Sequence, residues 1–366
     1  MDNKNIYICS TVRHLLFSLY KSHDSSTHSV IVFFYDYQDI DPDSLNINEL
    51  PDNIEIILVS RNSLVNEIKR SGLIGRYILF SSLHGLAISK SIKFKLVDLL
   101  HNKSIILDIE GTTYKLFLFN DNNKMSRLFR LLFKSYSIIE DGMGNYIEHK
   151  IHSKSKQAIR FLSNKNPRHH VFGEKNQCNE IHVVHPDKLP KSVFHKGKKL
   201  TLSRDVNIIS SIRNCFIFDN NVELDNKSLI IATQPTFNKI KSRLKDSQFF
   251  LRIYDSIISK SKEHNLNPAL KLHPKENKQG YQQLKDKGVV LLSNKIPLEI
   301  YLLSSVDKVN VISINSSVGI GMEDHCNIYK LIPDSEISNF EEIIIEFESN
   351  NDSLEDAISL QLSNII

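Results

Sequence analysis

The sequence predicts an α/β protein of two Rossmann-like domains facing a cleft, on three observations. Short apolar runs alternate with helix-length amphipathic segments from the first residues onward. Runs of that kind are the strands of a parallel sheet covered on both faces, with helices as the crossovers. The alternation restarts near residue 226, and 366 residues are enough for two domains of ordinary size. The expected boundaries are 1–225 and 226–366, with a basic connector at 150–199 counted in the first domain.

The elements follow in chain order. "NIYICS" (5–10) reads as a strand and "TVRHLLFSLYKS" as the helix after it; "SVIVFFYD" (29–36), "IEIILVS" (54–60), "YILFSS" (77–82) and "SIILDIEG" (104–111) read as further buried strands. "YSIIEDGMGNY" (136–146) is a strand running into a glycine turn. After the restart, "SLIIATQP" (228–235) is a strand ended by proline, and an amphipathic helix is expected over about 240–264. Then come the strand "ALKLHP", the strand "VVLLSN" (289–294), the helix "PLEIYLLSS" (297–305) and the strand "KVNVISINSS" (308–317). A helix near 318–325, the strand "NIYKLIP" (327–333) and helices over 337–349 and 352–364 complete the pattern, which has no repeat of fixed period.

Composition narrows the function class. Hydrophobic residues make up 41% and charged residues 24%, with no apolar run approaching a membrane span. The N-terminus "MDNKNIYICSTVRH" enters a strand directly and lacks a signal pattern, so a cytoplasmic place is expected. Cys9, Cys178, Cys215 and Cys326 are scattered, without ligand spacing, and read as reduced structural thiols. The net charge of +4 is uneven: residues 150–199 hold twelve Lys/Arg against Glu174, Glu180 and Asp187, a net of +9, so the rest carries −5. That segment is either a solvated linker or a contact for an anionic partner. Its few aromatics and the lack of a nucleic-acid motif argue against nucleic acid. "KMSRLFRLLFKSY" (124–136) reads as a basic amphipathic helix, either packed in the core with snorkelling cations or resting on an anionic bilayer.

Three stretches fall where strands end, the place at which open α/β sheets bind ligands. Glu140-Asp141-Gly142 puts two carboxylates at the mouth of the first sheet. A partly desolvated carboxylate there can serve as a general base, and the glycine lets backbone approach a ligand; the bland alternative is an acidic turn. In "LKLHPKE" (270–276), His273 stands at the last position of a buried strand, stopped by Pro274 and preceded at two residues by Lys271. It is either ligand-facing or an ordinary strand-end histidine. In "SINSSVGIGMED", Ser316 and Ser317 precede an expected helix start, a phosphate site or simply an N-cap. Glu299, in "PLEIYLLSS", can accept hydrogen bonds from a ribose or base edge, or simply favour the helix macrodipole. Asp39, Asp41 and Asp43 imitate a metal-binding pair but read as solvated loop charges.

Together and in this order, Glu140-Asp141-Gly142, Lys271-x-His273-Pro274 and Ser316-Ser317 resemble the acidic, HP and paired-serine motifs of bacterial sialyltransferases of the lipooligosaccharide and capsular polysialyltransferase type. "YICSTVRHLL", "IIATQP" and "IPLEIYLLSS" extend the likeness over most of the chain; His185-Pro186 lacks the lysine context and reads as a strand end. The resemblance implies a glycosyltransferase of the B-type architecture that uses CMP-sialic acid with inversion and without metal or cofactor. It implies the donor bound in the C-terminal domain and the acceptor, a terminal sugar of a lipid-linked surface glycan, in the N-terminal one; with such an acceptor, the basic segment 150–199 and the basic helix suggest a peripheral place on the inner membrane face. In chemical terms, Glu140 would take the acceptor hydroxyl proton, with Asp141 the less favoured neighbour. His273 would neutralise the departing phosphate, supported by Lys271 and the serine hydroxyls. Another nucleotide-sugar glycosyltransferase, a teichoic-acid-type glycerophosphotransferase and a non-catalytic nucleotide- or glycan-binding protein are the competing readings.

Overall fold

The computed structural model describes residues 3–23, 27–162, 166–202, 205–218, 224–234, 240, 242–273, 276, 278–316 and 318–365. The chain divides into two compact units, Met1–Phe218 and Asp219–Ile366. Pro274 and Ser317 lie outside the described residues.

The first unit is built on strands β1 (Asn3–Cys9), β2 (His28–Phe34), β3 (Ile54–Val59), β4 (Thr113–Leu118), β5 (Tyr136–Ile139), β6 (His149–Lys150), β7 (His169–His170), β8 (Cys178–Val183) and β9 (Gly197–Lys199). Its helices are α1 (Val12–His23), α2 (Arg61–Arg70), α3 (Gly72–His84), α4 (Lys90–His101), α5 (Lys124–Phe129), α6 (Lys154–Leu162) and α7 (Val206–Cys215). Seven strands pair in the order β3-β2-β1-β4-β5-β8-β9, every pair parallel. Order reverses between β1 and β4, which marks the switch point where a ligand crevice forms. Both side-chain sets of β1 are buried: Ile6 and Ile8 join one core cluster with α2 to α5, while Tyr7 and Cys9 point away from it. Alternate side chains leave opposite faces of a strand, so both faces of the sheet are covered.

The second unit holds β10 (Ser228–Ala232), α8 (Phe249–Glu263), β11 (Asn267–Lys271), α9 (Gln282–Lys285), β12 (Val290–Leu292), α10 (Leu298–Ser304), β13 (Val309–Ser313), β14 (Cys326–Lys330), α11 (Phe340–Ser349) and α12 (Asn351–Ser363). Its five parallel strands run β12-β11-β10-β13-β14, with the reversal between β10 and β13. Phe249, Phe250, Ile253, Tyr254, Ile257 and Ile258 recur at helical spacing and bury α8 against Leu229, Ile231 and Leu270.

Several expected elements differ. Residues 77–82 lie inside the helix α3, whose apolar residues continue from Leu73 without a turn signal until Gly85 ends it with φ +70°. Residues 104–111 form no strand; Ser104 takes φ +62°, and the strand expected there is β4, some residues later. The helix expected near 318–325 is a run of turns, because Gly319 and Gly321 adopt φ +78° and +86°. The amphipathic helix expected over 124–136 is the short α5, and Met125, Leu128, Phe129, Leu132 and even Arg130 are buried, which excludes a bilayer-facing role for it. The basic stretch 150–199 supplies β8 and β9 to the sheet, and so is part of the folded first unit.

Candidate active site

In the first unit, strand β5 delivers Glu140, Asp141 and Gly142 to the carboxyl edge of the sheet. Gly142 adopts φ +87°, ψ −147°, a region essentially reserved for glycine, and a side chain there would meet open space, so the requirement is conformational. The turn is closed by the Asn145 side chain, whose Oδ1 accepts from the Asp141 N–H at 2.6 Å.

The two carboxylates have opposite surroundings. Glu140 is fully buried. Its Oε2 accepts from the Tyr146 hydroxyl at 2.5 Å and from the Val184 N–H at 2.8 Å, and Oε1 faces the Arg13 guanidinium at 3.5 Å. Tyr146 accepts in turn from the His185 N–H at 3.2 Å, and burial, then Glu140, push its phenol pKa upward, so it stays a donor. The Glu140 carboxylate, which the sequence-based expectation makes the base, is thus buried among donors that tie β5 to the end of β8.

Asp141 is 26% exposed, and its Oδ1 receives the Nε2–H of His14 at 2.5 Å. The Ser10 N–H donates to His14 Nδ1 at 3.2 Å, which fixes the tautomer that carries its proton on Nε2. His14 is stacked on Phe119, centroids 4.1 Å apart and planes within 3°. His14 comes from the first turn of α1 after β1, and Phe119 follows β4, so the pair lies at the switch point. The sequence reading missed His14 and Arg13, although "STVRHLL" places a cation and a histidine directly after the first strand, the position at which such a signal counts.

Next to this loop is a cavity of about 540 Å³. Asn120, Asn122 and Asn123 follow β4 on one wall, and His149, His170 and Phe172 form an aromatic wall, with His149 stacked on Phe172 at 4.6 Å. His149 Nε2–H donates to the Gly144 carbonyl at 2.8 Å, and the Phe172 ring lies so close to Gly144 that a Cβ would come within 2.9 Å of it. Arg61 and Lys124 supply positive charge, and no carboxylate stands among the described residues of the lining.

In the second unit, parallel register aligns Lys271, Ala232 and Ser313 across β11, β10 and β13. Two residues further, His273, Gln234 and Asn315 stand in a row at the carboxyl edge; with strands about 4.8 Å apart, His273 and Asn315 are separated by roughly 10 Å. The His273 N–H donates to Thr233 Oγ1 at 3.0 Å and Glu276 Oε2 at 3.1 Å. Glu276 also accepts from the Thr233 hydroxyl and from the Tyr281 hydroxyl, the latter at 2.5 Å. Glu276 therefore links the backbone of the half-buried His273 to Thr233 and Tyr281, a contact that "LKLHPKE" did not reveal in sequence.

Lys271, expected to support the phosphate charge beside His273, makes its described side-chain hydrogen bond inward. It is buried, and its Nζ donates to the Ser293 carbonyl at 2.7 Å, tying the ends of β11 and β12. Glu299 is buried in the first turn of α10. The Ser316 N–H donates to Ser313 Oγ at 3.1 Å, and Ser316 Oγ accepts from the Val318 N–H at 3.3 Å. The described residues after Ser316, 318–325, form turns and no helix. Among the described residues, no group of three His, Cys, Asp or Glu side chains is placed to hold a metal ion.

Comparison with known proteins gives the family of the chain. The sequence profile of glycosyltransferase family 52 matches residues 77–332, and the chain belongs to that family. No curated protein sequence matches it significantly. Among solved structures, it is similar to a variant of the wall teichoic acid polymerase TagF, at 10% identity over 99% of this chain and 84% of that one, TM-score 0.43. It is also similar to the UDP-GlcNAc 2-epimerase of Methanocaldococcus jannaschii, at 10% identity over 98% and 92%, TM-score 0.43. A third similar structure is UGT2 of Phytolacca americana, at 11% identity over 99% and 94%, TM-score 0.41.

Proposed function

We propose that this family 52 glycosyltransferase is an inverting, metal-independent sialyltransferase, which moves sialic acid from CMP-sialic acid to a terminal sugar of a bacterial surface glycan. The observation that carries the reading is Asp141: a reachable carboxylate at a strand end, held at one oxygen by His14 and open at the other side. Asp141 takes the proton of the acceptor hydroxyl while that oxygen attacks the anomeric carbon from the side opposite the nucleotide. The bond from the anomeric carbon to the phosphate oxygen breaks, and CMP leaves with its charge neutralised by His273. Proton transfer of this kind contributes about 10²–10⁴ in rate per group. The Ser316 hydroxyl adds a donor for the phosphate. Ser317 and Pro274 complete the two motifs, and Glu299 is assigned to the ribose or base edge.

The cavity beside the Asp141 loop is assigned to the acceptor. Its volume is in the range that holds a small saccharide, its aromatic wall offers faces for sugar rings, and its asparagines offer amides for hydroxyls.

Incubation of the pure protein with CMP-sialic acid, with UDP-sugars and with CDP-glycerol, each with a glycan acceptor, tests the reading. Release of CMP from CMP-sialic acid together with a sialylated product is expected. Turnover of a UDP-sugar or of CDP-glycerol alone would move the chain to another transferase class, and no turnover of any donor would favour a binding protein.

A further inference from the structure

Helix α3 (Gly72–His84) has its amphipathicity reversed. Toward the protein it turns small residues: Gly75, Ser81 and Ser82 are buried there beside Ile78. Gly75 sits so tightly against the Ile68 carbonyl that no side chain fits. Toward solvent it turns large apolar residues. Leu73 is 83% exposed, Phe80 53% and Leu83 57%, with Ile74, Tyr77 and Leu86 beside them. Leu73, Tyr77 and Phe80 follow the i, i+4, i+7 spacing of one helix face. A contiguous exposed apolar face of this kind marks an interaction site.

Charge decides what covers it. From Lys69 to Val97 the sequence holds six Lys/Arg and no Asp or Glu. Lys90 is paired with Glu110 at 2.6 Å and Lys93 donates to the Leu132 carbonyl, but Lys69, Arg70, Arg76 and Lys95 are exposed. A symmetric contact between two copies would set this cationic face against itself. An anionic bilayer matches both features, because an interfacial helix sinks its apolar face to the acyl boundary while flanking cations meet the headgroups.

We propose that α3 is the membrane-docking helix of this protein, lying in the interface of an anionic lipid bilayer. The assignment is independent of the donor sugar, so it stands or falls separately from the sialyltransferase reading.

Co-sedimentation with phosphatidylcholine vesicles, with and without phosphatidylglycerol, tests it. The wild-type protein should bind the anionic vesicles and bind them less as salt rises. Leu73→Ser with Phe80→Ser should weaken that binding by roughly tenfold or more, since two exposed apolar anchors are lost. Arg70→Gln with Arg76→Gln should weaken it by roughly fivefold per charge on anionic vesicles only. All variants should melt within a few degrees of wild type, because none of the replaced side chains is buried. Vesicle binding unchanged in the serine variant, or absent from the wild type, overturns the proposal. So does a wild-type dimer in light scattering that the serine variant converts to monomer while vesicles are ignored, which would make the face a contact between copies.

Discussion

Replacing Glu140 and Asp141 one at a time should separate stability from catalysis. Glu140→Ala removes the acceptor of two buried donors, the Tyr146 hydroxyl and the Val184 N–H. Each buried donor left without a partner costs about 1–3 kcal/mol, so the pair costs about 2–6 kcal/mol. Arg13 is 21% exposed and 3.5 Å away, so losing this one contact adds at most about 1 kcal/mol. In a unit of this size each kcal/mol shifts the melting temperature by about 2–4 °C, which predicts a fall of roughly 4–28 °C. Asp141→Asn keeps an acceptor for the Nε2–H of His14 and sits partly in solvent, so its melt should stay within about 3 °C of wild type. Its turnover should fall about 10²–10⁴-fold, since the amide cannot take a proton. Calorimetry and single-turnover transfer at saturating donor measure the two effects. A Glu140→Ala protein that melts with the wild type yet transfers no sugar, beside an Asp141→Asn protein that still turns over, would refute the assignment.

Further expectations concern the second unit and the pH response. His273→Ala should lose roughly 10²-fold or more in turnover, and a donor with a better leaving group than CMP should restore part of it; near-normal turnover would make His273 structural. CMP should raise the melting temperature more than UMP or UDP do, and equal shifts would remove the case for cytidine recognition by the Glu299 region. Activity should survive excess EDTA, whereas complete loss restored by magnesium would assign a metal role that the proposed mechanism lacks. Burial, and then the Lys21 cation, lower the His182 pKa from its ordinary 6.5 to about 4, against the pull of Glu180. In that window the unfolded chain binds the extra proton, so stability is full above about 6.5 and falls as pH drops toward 4. Thermal melts of His182→Gln should show a shallower fall over that range, and a variant that tracks the wild type would refute the assignment.

The strands of both units were legible because runs such as Ile6–Cys9 and Val30–Phe34 are buried on both faces, and a doubly covered strand is apolar at every position. The same logic failed at residues 77–82. "YILF" is apolar because α3 presents part of it outward, and a pattern reader that equates apolar with core turns such a run into a strand. Failures of local rules concentrate at functional surfaces. Strand β4 was missed for the opposite reason: its first half, from Thr113, is exposed or half-exposed, and only Leu116–Leu118 carry the buried signal.

At the candidate site, the sequence singled out the loops but not how the structure divides the residues within each between buried and presented positions. Glu140 and Asp141 are adjacent and both acidic, and what parts them arrives from far along the chain: Val184 and Tyr146 for one, His14 for the other. Lys271 and His273 divide in the same way, with the lysine tied inward to the Ser293 carbonyl and the histidine left at the sheet edge. Ser313 repeats the arrangement, accepting from the Ser316 N–H so that the following turn is held. Each short motif thus pairs an anchor with a presented residue one to three positions away. The anchor is buried and satisfied, and it sets the loop geometry that the presented residue needs, since catalytic groups act only when held near the reacting atom. On this view, scanning the motifs should give two phenotypes that alternate along the chain. Anchors such as Glu140 and Lys271 should lose stability first, and presented residues such as Asp141 and His273 should lose turnover in a protein that stays folded.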